Sequence, residues 1–415
     1  MTKTKTFAAL VTSVAATLST PVFAQSSVTL YGLIDVGLSY TSNAQTGRSN
    51  GALKGASQYS FQDAATSGVT GSRFGIRGTE DLGGGNSAIF TLENGFGGGT
   101  GAIALGGALF ARQAFVGLKS NTLGTVTLGR QYDAVDMFVQ PFAAVATWGG
   151  YMVSHAGDVD NLANTRRSNN SIRYLSPSYN GLSFGGVYSV GGVAGSATQK
   201  QIYSLGVSYA NGPVAVAAAY LNARDPNLSF YGSQANSGTT AATNNLGSIG
   251  SDTTAQSIPS FAGYASAKAL QIIAAGASYK AGAATFNLVY TNTQFQNLGN
   301  LNAGPNPFNY SGTATFNSAE ASMSYRFSPA WSGGVSYSYT HNSGASNAGS
   351  AVYHLAAAGA DYSLSQRTDI YGVVVYEHAA GTDSLDQPAV AALTGQTPSA
   401  NNHQLGVHVS LRHRF

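Results

Sequence analysis

The strongest constraint in this chain is a two-residue alternation that recurs in segments of about ten residues and continues to the last residue. Across 404–415, Leu405, Val407, Val409, Leu411 and Phe415 share one face, and Gln404, His408, Ser410, Arg412 and Arg414 share the other. A strand that reaches a chain end needs a neighbour to hold it. One greasy and one wet face is what the wall of a membrane barrel requires. The same alternation sets Trp331, Val335, Tyr337 and Tyr339 against Ser332, Ser336, Ser338 and Thr340. It also sets Val28, Leu30, Ile34, Val36 and Leu38 against Thr29, Tyr31, Asp35 and Ser39. Helical spacing explains none of these.

Sixteen such segments are predicted, at 27–40, 72–82, 87–96, 110–120, 124–133, 169–179, 182–190, 201–210, 213–223, 269–280, 283–294, 314–327, 331–341, 351–364, 368–379 and 403–415. Every second connection is short, among them Asn180-Gly181 and Asn211-Gly212, which suit two-residue hairpins with φ > 0. Those between are long and rich in Ser, Asn, Gly and Thr: 41–71, 97–109, 134–168, 224–268, 295–313 and 380–402. Short turns on one rim, long loops on the other and an even strand number predict an all-β, 16-stranded antiparallel transmembrane barrel. Sixteen strands leave an aqueous channel, where eight would fill with side chains. The first strand starts too early for an N-terminal plug.

Lys3 and Lys5, the apolar run Phe7 to Leu18 and Val22-Phe23-Ala24 predict a cleaved secretory signal over 1–24, leaving 25–415 as the barrel. An apolar run that short cannot span the bilayer as an anchor. Charged residues make up only 9%, against the usual ~25%, which a surface facing lipid tolerates. The 23 tyrosines suit the membrane interface. Cysteine is absent, so no disulfide or thiolate metal site is expected. The near balance of charge gives no support for nucleic-acid binding.

Several stretches resemble the Gram-negative general porins, particularly their neisserial and betaproteobacterial branch. They are Ser27-Val28-Thr29-Leu30-Tyr31-Gly32, the run Ser72 to Gly83 (Ser-Arg-Phe-Gly-Ile-Arg-Gly-Thr-Glu-Asp-Leu-Gly), Arg112-Gln113-Ala114-Phe115-Val116-Gly117-Leu118, Gly129-Arg130-Gln131-Tyr132-Asp133, Asn169-Asn170-Ser171-Ile172-Arg173-Tyr174 and the closing Leu411-Arg412-His413-Arg414-Phe415. The resemblance covers the first half densely and the second thinly. It implies a homotrimer of barrels in the bacterial outer membrane, among outer-membrane lipid and lipopolysaccharide, passing small ions and hydrophilic solutes by diffusion. It further implies that the third long loop, about 134–168, folds into the lumen. The barrel-assembly machinery would read the C-terminal strand with Phe415 as its signal.

Parity assigns the lumen residues. Phe74 and Ile76 facing out send Arg73 and Arg77 inward, and Ile172 and Tyr174 facing out send Arg167 and Arg173 inward. Arg112 is placed in the lumen by the resemblance alone, since Val116 and Leu118 share its parity and Phe115 does not. Arg130 shares parity with Val126 and Leu128 and is left open. On the acidic side, Asp136 on the loop is the leading candidate, with Asp133, Asp158 and Asp160 behind it and Asp35 and Glu93 from the wall. Pro141 lacks the following carboxylate that family loops often carry. More inward arginines than acids predicts mild anion preference, since rings of arginine favour anions.

The expected function is therefore general diffusion, with mostly Ser, Thr, Gly and Arg at inward positions. A substrate-specific channel with an aromatic slide is the alternative, and a closed adhesin-type barrel is a further one. Conductance separates the three. No enzyme is expected: no serine motif pairs with a histidine, and Gly83-Gly84-Gly85 and Gly97-Gly98-Gly99 lack the Gly-Lys-Ser of a phosphate loop. No cofactor or metal site is expected either, because the seven histidines show no zincin spacing.

Overall fold

The computed structural model describes residues 27–63, 68–229 and 240–415. The predicted leader and its cleavage point lie outside these. Seventeen β-segments form one closed antiparallel sheet, and they occupy sixteen wall positions. The reason lies in the first strand. β1 (Ser27–Ser49) pairs through Ser27–Leu33 with β3 (Arg73–Gly83), and through Val36–Ser49 with β2 (Ala52–Asp63). β2 and β3 thus lie end to end as one broken wall strand. Between them the described residues 68–72 turn inward, where Gly68 accepts from Tyr151 N (2.9 Å) and Val69 N donates to the Tyr371 hydroxyl (3.0 Å).

The wall continues through β4 (Asn86–Gly95), β5 (Gln113–Ser120), β6 (Gly124–Gln131), β7 (Ser168–Leu175), β8 (Leu182–Ser189), β9 (Ile202–Asn211), β10 (Val214–Arg224) and β11 (Ala269–Ala281). β12 (Ala284–Leu298), β13 (Gly312–Arg326), β14 (Trp331–Asn342), β15 (Ala351–Ser363), β16 (Thr368–Gly381) and β17 (His403–Arg414) complete it, and β17 closes on β1. Phe415 seals the seam: its backbone exchanges hydrogen bonds with Gly32 (3.0 and 3.2 Å). A Cβ on Gly32 would lie 2.5 Å from the Phe415 ring.

The outward faces are as the alternation predicts. Leu30, Ile34, Val116, Leu128, Leu205, Leu288, Val335, Val409 and Leu411 are exposed, while Glu93, Thr291, Glu320, Ser338, Glu377 and Gln404 on the opposite parity are buried. Among the described residues no helix is long and apolar enough to cross a membrane, so the strands do the crossing.

Two expectations need correction. Within the expected loop 41–71, residues 41–49 and 52–63 are strand; Asn50 (φ 52) and Gly51 (φ 79) form the left-handed turn between them. The inward face is also not uniformly polar. Ile202, Leu221, Leu270, Ile272, Val289, Phe295 and Phe316 point inward, buried beneath the third loop and residues 246–267.

The loop between β6 and β7 lies inside the barrel. It opens with a short helix, α1 (Ala134–Phe138), capped by Asp133, whose Oδ1 accepts from Val135 N (2.8 Å) and Asp136 N (3.2 Å). Large side chains of the loop rest on wall glycines. A Cβ on Gly206 would meet Phe138 at 2.3 Å, one on Gly276 would meet Phe142 at 2.7 Å, and one on Gly334 would meet Trp148 at 2.4 Å. Met152 rests on Gly406 in the same way, at 3.0 Å. The loop therefore tracks round the wall from β9 to β17 and leaves β3–β7 uncovered.

Polar contacts fix the same path. Ala144 N donates to Glu320 Oε1 (2.7 Å), and Thr291 donates to Asp160 Oδ2 (2.6 Å). His155 bridges Asp160 (Nδ1–Oδ2 2.5 Å) and Glu320 (Nε2–Oε2 3.6 Å). Burial alone would lower the His155 pKa, but the Asp160 and Glu320 carboxylates outweigh it and hold it at about 10. The imidazolium in turn keeps Asp160 below the ordinary carboxylate range, against its own burial.

Candidate functional site

The uncovered wall carries the arginines. Arg73 on β3 approaches Glu93 on β4 (Nη1–Oε1 4.0 Å) and donates to the Gly71 carbonyl (3.2 Å). Arg112, just before β5, donates Nε to Glu93 Oε1 (2.7 Å) and Nη2 to the Tyr132 hydroxyl (3.3 Å). Tyr31 donates to Glu93 Oε2 (2.9 Å). One carboxylate therefore serves two arginines and a tyrosine.

Three more of the arginines stand on aromatic rings. Arg77 lies over Tyr31 (5.2 Å), Arg173 over Phe115 (5.3 Å) and Arg167 over Tyr132 (5.4 Å). Such contacts hold a guanidinium with ~0.5–2 kcal/mol and do not neutralise it. Arg167 is only 1% exposed, so it acts from behind the surface. Arg73 and Arg112 face Asp136, Gln140 and Tyr151 of the loop across a cleft of about 220 Å3. Burial, with the Asp133 carboxylate adding to it, pushes Asp136 up to about 8 against the pull of Arg167, Arg112 and Arg173.

The remaining predicted acids are placed differently. Asp133 is the helix cap, and its second oxygen accepts from Asn161 Nδ2 (2.9 Å). Asp35 points inward but has no accessible surface; it accepts from Ser410 (2.6 Å) and Tyr371 (3.0 Å) at the β1–β17 seam. Asp158 folds the loop by accepting from Ala163 N, Thr165 N and the Thr165 hydroxyl. Arg130 is spent on the Ala111 carbonyl and Asn169.

Parity set Arg412 on the wet face of the last strand without marking it as a site residue. Arg412 donates to Thr70 (3.1 Å) of the inward segment, and to Asp361 (3.0 Å) and Asp369 (2.9 Å). With Arg414 and the loop's Thr147 and Trp148 it lines a second cleft of about 290 Å3. Only the inward turn at 68–72, invisible in the alternation, brings it there. A buried serine–histidine contact, Ser39 Oγ to His408 Nδ1 (2.7 Å), joins β1 to β17 on the inward face.

A sequence profile described as Gram-negative porin matches residues 9–382. The chain belongs to the Gram-negative porin family. It is 37% identical over 215 residues to an outer membrane porin protein of Bordetella pertussis, covering 48% of this chain and 54% of that one. It is 35% identical over 205 residues to outer membrane porin protein 32 of Delftia acidovorans, covering 46% and 52%. The matched stretches thus span about half the length of these relatives. Among solved structures, the anion-selective porin from Comamonas acidovorans shares the fold over 94% of this chain and 100% of its own, with a TM-score of 0.66 and 22% identity. Family and barrel together place the chain in the bacterial outer membrane.

Proposed function

We propose that this porin is a general diffusion channel for ions and small hydrophilic solutes, with mild preference for anions. The carrying observation is how the lumen arginines are held. Arg77, Arg167 and Arg173 stand on rings, and Arg73 and Arg112 share the single carboxylate of Glu93. With Asp136 pushed up to about 8, the cleft carries a surplus of positive charge at neutral pH. A positive lining favours anions. The test is the reversal potential of purified protein in a planar bilayer under a salt gradient: anion preference is expected, and clear cation preference would overturn the assignment. Large ohmic steps are expected too. Saturable block by one solute would favour the specific channel, and silence would favour the adhesin.

A general channel is favoured over an aromatic slide because Phe261, Tyr264, Phe295 and Phe316 are locked into one buried cluster. Transport by diffusion leaves no catalytic role to assign. Trimer formation belongs to the same reading. Leu38, Tyr40, Tyr59 and Phe61 form an outward apolar patch where β1 meets β2, with Tyr59 80% exposed, and we assign the contact between copies to it. Light scattering in detergent tests it. Assembly through the strand ending in Phe415, association with lipopolysaccharide and signal cleavage after Ala24 complete the proposal. N-terminal sequencing of the membrane form tests the cleavage.

A further inference from the structure

Four of the seven histidines fall on one small patch. His354 on β15 is directly opposite His378 on β16, and His378 is directly opposite His403 on β17. His341 on β14 lies two residues beyond Tyr339, the partner of His354. Their neighbours Tyr353, Leu355, Glu377, Ala379 and Gln404 are buried inward, so all four imidazoles face outward. They sit where β14 and β16 end and β15 and β17 begin, which is the long-loop rim.

The outward positions of β14–β17 carry no Asp, Glu, Lys or Arg. The groups that face the row are tyrosines and one amide. The Tyr337 hydroxyl meets His354 Nδ1 (2.7 Å), and the Tyr339 ring lies 5.1 Å from the His354 ring. Asn402 bridges the rest, its Nδ2 on His378 Nε2 (3.2 Å) and its Oδ1 on His403 Nδ1 (3.2 Å). Tyr337 and Tyr376, both half-exposed, lie on the membrane side of the row. Tyrosines of this kind mark headgroup depth.

We propose that His354, His378 and His403 form a docking row for the phosphate-bearing headgroup of an outer-leaflet lipid, engaged more strongly at acid pH. The inference rests on the association with lipopolysaccharide proposed above, to which it assigns residues, and is independent of ion selectivity. The row spans about 10 Å, two strand spacings, enough for one or two phosphates. Imidazole is the side chain that gains charge between pH ~5 and ~8, and cationic donors near a membrane surface attract anionic headgroups. A metal ion is the weaker occupant. It requires nitrogens converging on one point at ~2.1 Å, whereas the His354 and His378 rings stand 6.4 Å apart, and no metal-holding group of three exists among the described residues.

The test uses the full-length protein in detergent, with bisphosphorylated lipid A counted per chain by native mass spectrometry at pH ~5.5 and ~7.5. About fivefold stronger retention at the lower pH is expected. The H354Q/H378Q/H403Q variant should lose that difference while keeping its single-channel conductance. Dephosphorylated lipid A should show no pH effect, and inorganic phosphate at the same concentration should not displace the lipid. Retention indifferent to pH, to the phosphates or to the substitutions overturns the proposal. So does full displacement by inorganic phosphate, or a changed oligomeric state in the variant, which would make the row a contact between copies. If the triple variant fails to fold, H378Q alone, at the centre of the row, must remove most of the pH effect.

Discussion

Trp148 and the glycines beneath it allow a graded test of what holds the third loop against the wall. A Cβ on Gly334 would sit 2.4–2.5 Å from three atoms of the indole, where ordinary contact begins at ~3.5 Å. The wall backbone is held by its ladder, so in Gly334→Ala the ring must retreat by about 1 Å, with an overpacking cost of ~1–3 kcal/mol. On Gly359 the added carbon would approach the same ring only to 3.0–3.2 Å, so Gly359→Ala asks for a retreat of roughly half an ångström. Retreat from the wall is movement into the lumen, beside Thr70 and Arg412. The chain has two tryptophans, so in a Trp331→Phe background the emission reports Trp148 alone. Acrylamide quenching should rise and single-channel conductance fall in the order wild type, Gly359→Ala, Gly334→Ala. In a Trp148→Ala background, Gly334→Ala should have no further effect. A Gly334→Ala channel matching wild type in both measurements, or a larger effect from Gly359→Ala, refutes the socket argument.

Other perturbations test the charges. Glu93→Gln removes the carboxylate that Arg73 and Arg112 share; at the 4.0 Å of the longer contact one unit charge in water is worth ~1 kcal/mol. The anion-to-cation permeability ratio should therefore rise about fivefold, and a fall in the reversal-potential assay would contradict the assigned field. Asp136, pushed up to about 8 by burial and Asp133, is neutral below that pH and charged above it. Anion preference should decline as pH rises through about 8 and stay flat in Asp136→Asn. Its stability contribution has the matching sign: the folded chain retains a proton that the unfolded chain releases, so stability falls as pH climbs from the ordinary carboxylate range towards about 8. For His155 the folded value is raised to about 10, so the latch contributes fully below the ordinary imidazole range and is lost as pH rises through about 10. His155→Gln should leave Asp160 and Glu320 without their bridge, visible as added current noise in an assembled channel; quiet traces would show that the aromatic anchors suffice.

The alternation located the strands because each one is wet on one side and greasy on the other, and that is a local property of the chain. It passed over residues 52–63 because Gly55 and Ser57 stand at outward positions and dilute the pattern, although Asn50-Gly51 carries the same turn signal as Asn180-Gly181. Parity placed Arg73, Arg77 and Arg173 on the lumen side. It could not place Arg112, which stands before β5, where the strand's alternation no longer holds. Nor could it separate Asp35 and Asp133, sealed in the seam and the helix cap, from acids that face the channel. Inward parity says which side a residue takes, and only the covering loop decides whether water reaches it.

What the sequence by itself determined is the closed, lipid-facing wall, since period, turn chemistry and scarcity of charge act residue by residue. The tertiary structure decided the interior. The loop's path depends on Phe138, Phe142 and Trp148 meeting glycines on strands 60 and more residues away. The charge of the cleft depends on which arginines end on rings and which end on Glu93. The histidine row exists only because strand register brings three distant residues side by side. These are long-range distances, and a pattern along the chain has no term for them.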